Sequence, residues 1–116
     1  AVNLQWNSEV GELNKNGVKL LLNMVLVASE SLIRGGDIIV NVTIIGGQLN
    51  LEVSISAQRI IFQDKIRLTI CGEVDEIETD PKIAPAYLAA SVAKLLNSKV
   101  EYTPHNENSF TLSAKI

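Results

Sequence analysis

The chain holds one histidine and one cysteine, and neither sits in a pattern that makes a nucleophile. His105, in TPHNENS, could accept a phosphoryl group, but an acceptor of that kind is displayed on a helix with an acid or amide beside it. Pro104 and the nearby asparagines instead mark an exposed turn. Cys71, in LTICGE, has Thr69, Ile70 and Gly72 around it and no base or cation to lower its pKa, so it reads as a buried structural thiol. One histidine and one cysteine are also too few for a transition-metal site. Residues 73–80 carry five carboxylates without the spacing or central glycine of a calcium loop. They read as a solvated connection, with a partner-facing patch as the other reading. Asn41-Val42-Thr43 matches a glycosylation triplet but falls inside a predicted strand. There is no catalytic triad, phosphate-cradling loop or paired-carboxylate arrangement. No catalytic residue, metal or cofactor is therefore expected. One polar residue stands out for the opposite reason: Asn23 interrupts the apolar run LLLNMVLVASESLIRGG (20–36).

The 116 residues suit a single domain with one core. Hydrophobic residues make up 47% and charged residues 20%, the balance of a globular protein. No uninterrupted apolar run is long enough to span a bilayer, so no membrane role is expected. The net charge of −3 and the lack of a basic, aromatic-interleaved stripe argue against nucleic acid. A single cysteine fits a reducing compartment, and the expected location is cytoplasmic. The first residue is Ala1, which suits a processed or excised piece.

The positioning elements follow from periodicity. NLQW (3–6) alternates and predicts a short strand. Residues 7–17 read as a loop pinned by Val10 and Leu13. A helix is predicted from about Asn16 or Gly17 through Arg34, buried on most sides, with Gly35 as its left-handed cap. Residues 37–45 and 48–56 alternate around Gly46-Gly47, a hairpin signal. A helix is expected over 64–71, closed by Gly72. Asp80-Pro81 can open the next helix, or Pro85 can serve as its first-turn residue after a separate turn. The alanine-rich stretch 86–97 is helical. Residues 99–103 and 110–116 flank a polar turn at 104–109. Paired antiparallel strands separated by helices predict an α+β, two-layer sandwich with a mostly antiparallel mixed sheet covered on one face by helices. Trp6 reads as a core or edge anchor.

Two stretches carry a resemblance. LLLNMVLVASESLIRGGDIIVNV is similar to the start of the Bergerat-type ATP-binding domain of histidine kinases. There, a helix bears two asparagines one turn apart, followed by a glycine pair and a strand. LAASVAKLLNSKVEYTPHNENSFTLSAKI is similar to that domain's end. The resemblance implies the same fold, but the nucleotide residues depart from the pattern. Asn23 matches the first asparagine, while Val27 falls where the metal-holding second one stands. Ala57 replaces the aspartate that reads the adenine amine, and Arg59 replaces the first glycine after it. PAYLAAS occupies the place of the glycine-rich lid. Losing two anchors worth roughly 1.5–3 kcal/mol each lowers affinity by on the order of 10²–10⁴. ATP binding is not expected, and the emptied site is expected to be filled by Val27 and other aliphatic side chains.

Within that fold, the chain resembles the C-terminal domain of the ChpT-like histidine phosphotransferases. The resemblance implies a bacterial phosphorelay protein that exchanges a phosphoryl group with receiver domains of response regulators. It also implies a homodimer formed through an N-terminal helical hairpin that carries the accepting histidine. Neither hairpin nor motif occurs here, so this chain is expected to be the non-catalytic half. Lys15, Lys19 and Arg34, near the ends of the first helix, and Arg59 are the candidate contacts to an acidic receiver surface. The alternatives are a divergent ATP-binding kinase domain and a stand-alone scaffold.

Overall fold

The computed structural model describes residues 2–74 and 81–116. In chain order the elements are β1 (Val2–Ser8), α1 (Lys15–Glu30), β2 (Gly36–Ile45), β3 (Gln48–Ser56), α2 (Asp64–Ile70), α3 (Ala84–Leu95), β4 (Glu101–Asn106) and β5 (Ser109–Lys115). The strands form one mixed sheet in the order β1-β2-β3-β5-β4. Only the β1–β2 pairing is parallel. The sheet is therefore mixed and mostly antiparallel, as the sequence implied, and the parallel strand is β1. That strand reaches β2 through the intervening helix, and a crossover of that length returns the chain in the same direction.

Strand alternation decides which residues enter the core. Ile38, Val40 and Val42 of β2, Leu51, Val53 and Ile55 of β3, and Phe110, Leu112 and Ala114 of β5 are buried on one face. α1 lies across β2 and β3 on that face and packs beside α3, which in turn carries α2. α1 contributes Leu20, Leu21, Met24, Val27 and Ala28, and α3 contributes Ala86, Ala89 and Ala93. Small side chains along α3 let the two helices approach closely. Val10 and Leu13 pack against this core and hold down the loop after β1, as the sequence implied.

The helix ends show what local chemistry adds. α1 starts at Lys15 because the Asn14 side-chain oxygen accepts from the Gly17 amide at 2.7 Å, an N-cap. Its helical run stops at Glu30, four residues before the expected Arg34 end. Ser31 diverts the backbone: its hydroxyl donates to the Ala28 carbonyl, and its own carbonyl accepts from the Ile61 amide at 2.9 Å. Leu32 then bridges Ile60 instead of continuing the helix. Gly35, with φ +85°, sits beyond this turn and not at the cap. Pro85 occupies the first turn of α3 after a separate turn, the second of the two readings. The closing hairpin turns more tightly than expected: Pro104 and His105 belong to β4, with a register shift between Pro104 and Asn106. Residues 75–80 of the acidic run, and the Asp80 start of a helix, lie outside the described residues. Trp6 is 48% exposed on the edge strand β1 and is not a core residue. No helix among the described residues is long and apolar enough to cross a membrane.

The second residue of the glycine pair has a packing reason. Gly36 sits at φ +151°, and a Cβ there would lie 2.6 Å from the Ala57 Cβ and 2.7 Å from the Ser56 carbonyl oxygen. Gly36→Ala is therefore expected to destabilise the chain by about 2 kcal/mol or more, through backbone strain and overpacking together. Chemical denaturation of the variant checks this.

Candidate functional site

The positions singled out by the sequence do not converge on one cleft. Asn23 is half-buried on α1, and its amide donates to the Lys19 carbonyl one turn back at 2.8 Å. Its hydrogen bond stays within the helix and does not cross to a loop. Val27 is 3% exposed and belongs to the core row of α1. It also forms part of the wall of a cleft of about 240 Å³, with Phe62 and Ile66 opposite and Glu30 and Lys82 also lining it. Ala57, at the end of β3, lines a separate, shallow polar depression beside Gly36, Asp37 and Asn108. The Ala57 amide donates to the Asn108 carbonyl at 3.0 Å. Arg59 is exposed on the segment between β3 and α2.

An aromatic cluster holds the segment after Arg59 in place. Phe62 stacks on Phe110 of β5 at 4.6 Å between centroids, and both touch Tyr102 of β4. Arg67 of α2 lies over the Tyr102 ring at 5.9 Å. Phe62 thus closes the cleft beside Val27 while anchoring to the hairpin. The sequence reading missed this cluster. Its one available signal was composition: the chain has five aromatic residues, and three of them gather here.

The candidate cations fall in two places. Lys15 and Lys19 are exposed on the first turns of α1, and Arg34 is exposed beyond its end. His105 is exposed on β4, with Nε2 2.8 Å from the Thr111 hydroxyl, which in turn lies 2.8 Å from the Ser54 hydroxyl. That chain runs along the sheet face away from α1 and lacks a carboxylate. Among the described residues, no cluster of histidine, cysteine and acid side chains could hold a metal.

Comparison with known structures supplies the class. The chain has the fold of histidine-kinase ATP-binding domains. It matches the catalytic domain of the histidine kinase ThkA with a TM-score of 0.68 at 13% identity, covering 99% of this chain and 77% of that one. It matches the histidine kinase domain of the Erythrobacter litoralis blue-light activated kinase with a TM-score of 0.71 at 11% identity, covering 100% and 54%. A bacterial phosphotransferase solved at 1.7 Å superposes with a TM-score of 0.81 at 22% identity over 97% of this chain. The present chain spans about half (54%) of that phosphotransferase. The family described as "Histidine phosphotransferase C-terminal domain" matches residues 1–108, and the chain belongs to this ChpT-like family. Among curated protein sequences, none matches.

Cys71 is buried at the end of α2, as the sequence implied. Burial pushes its thiol above the ordinary range and Glu73 adds to the shift, while Lys99 and Arg67 pull the other way. The folded chain thus favours the protonated thiol. This stabilising contribution is complete below the unfolded thiol pKa of about 8.5 and is lost as pH rises above it. A disulfide reagent at pH 8 should label the native chain at least about 100-fold more slowly than the urea-unfolded chain. Cys71→Ala should flatten the fall in Tm between about pH 8 and 10.

Proposed function

We propose that this chain is the receiver-docking, non-catalytic half of a histidine phosphotransferase in a bacterial phosphorelay, and that it does not bind ATP. Family membership supports the phosphotransfer setting, and the burial of Val27 carries the second half of the reading. A polar side chain at 27 would sit in the aliphatic core row of α1, where an unsatisfied amide costs about 1–3 kcal/mol. The cleft beside it is about 240 Å³, and the open depression of about 880 Å³ beside Ala57 is separate from it, so the two matched positions do not share one site. Phe62, stacked on Phe110, closes one wall of the cleft. Phosphoryl transfer between a receiver aspartate and a histidine is a matter of positioning and charge stabilisation. This half supplies the positioning surface, and the histidine belongs to the portion of the phosphotransferase beyond the matched domain. The exposed cations Lys15, Lys19 and Arg34 at the two ends of α1 complement an acidic receiver surface, with Arg59 a further contact.

Two measurements test the two halves of this reading. Titration with a fluorescent ATP analogue and magnesium should show no saturable binding below about 1 mM. Micromolar binding would point to the divergent-kinase alternative. Reversing Lys15 and Lys19 together to Glu should weaken binding of a response-regulator receiver domain by about tenfold and flatten its salt dependence. Calorimetric titration reads both effects, and an unchanged affinity removes these cations from the interface.

A further inference from the structure

β1 is an edge strand with nothing beyond it among the described residues, and its sequence leaves that edge open. Val2, Leu4 and Trp6 are 47%, 55% and 48% exposed. Through the β1–β2 register, Leu4 and Trp6 stand beside Ile38 and Val40, on the helix-covered face of the sheet. α1 lies across β2 and β3 and leaves β1 uncovered. On α1 the exposed residues Val18, Leu22 and Leu26 recur every four positions and form a second exposed apolar row.

The two edges of the sheet differ. β4 carries Glu101, a proline at 104 and a register shift, the usual devices that stop a sheet from growing. β1, VNLQWNS, has no charge, no proline and no register shift. The Glu9 amide donates to the Val42 carbonyl, so strand alternation turns the amides and carbonyls of Leu4, Trp6 and Ser8 outward. A row of outward backbone donors and acceptors is satisfied by a strand and not by a helix. Pairing β1 with the β4 edge of another copy would be blocked by Pro104, and it would also propagate without closing. Pairing β1 with β1 closes on a two-fold axis. Such an axis sets the residue at its centre opposite its own copy, Gln5 when Leu4 faces Trp6, and a like charge there would repel. β1 has none to oppose.

We infer that β1 is the interface for a second copy of this chain, joined antiparallel edge to edge into a continuous ten-stranded sheet, with Leu4 of one copy beside Trp6 of the other. This contact lies on the opposite edge of the sheet from β4, and it stands or falls independently of receiver docking and of ATP.

Sedimentation velocity of the 116-residue chain over about 5–200 µM tests it. The expected result is a monomer–dimer equilibrium in the micromolar range that persists in 1 M salt, since no ion pair holds it. Trp6 is the only tryptophan, so its emission should move to the blue as the dimer forms. Leu4→Lys with Trp6→Lys should weaken dimerisation by at least about 100-fold while circular dichroism stays native. Thr103→Lys on β4 should leave dimerisation unchanged. A chain that stays monomeric at 200 µM, that forms only polydisperse aggregates, whose dimer survives the double lysine substitution, or whose unsubstituted dimer dissociates without a change in Trp6 emission overturns the inference.

Discussion

The inner row of α1, from Leu20 through Ala28, presses on the aliphatic faces of β2 and β3. Each fully buried aliphatic side chain in that contact is worth about 1.5–3 kcal/mol, so the row cannot hold polar groups without a large loss. Val27 belongs to this row. The sequence resemblance matches this position to a metal-holding asparagine of histidine-kinase ATP-binding domains. Here it serves the core. One residue thereby links the stability of the sandwich to the functional reading.

The same contact explains what lies around the site. The segment after β3 is anchored by Phe62, which packs on Phe110 and Tyr102 of the closing hairpin. Ser31 ends α1 early by giving its carbonyl to Ile61, which draws the same segment against the helix end. The segment is thus tied to both layers of the sandwich, and the cleft beside Val27 is narrow because its walls are tied to the fold.

Much of the architecture was legible. Alternation at 37–56 and the glycine pair at 46–47 specified the central hairpin; the first long helix followed from its 3.6-residue period and the second from its alanine-rich composition. Family likeness was legible too, because the run from Leu20 to Val42 is local and keeps its order. The candidate site was legible only as a set of positions. Asn23 stands out in the sequence as a polar break in an apolar run, yet its amide is taken up by the Lys19 carbonyl one turn away. Such back-bonding is always within reach on a helix, and a sequence pattern does not separate it from a tertiary contact. The aromatic cluster was invisible because its members stand 40 and 8 residues apart along the chain, at Phe62, Tyr102 and Phe110.

The sequence alone determined the order and type of the elements and the single aliphatic core. These are properties of local period and residue type. Only the tertiary structure decided that β1 runs parallel to β2 and stays uncovered at the edge, that Val27 and Ala57 line separate clefts, and that Pro104 and His105 extend β4. Those outcomes depend on which distant segments meet. Strand direction and depth at a rim are set by contacts between residues far apart in the chain, and no window of the sequence contains both partners.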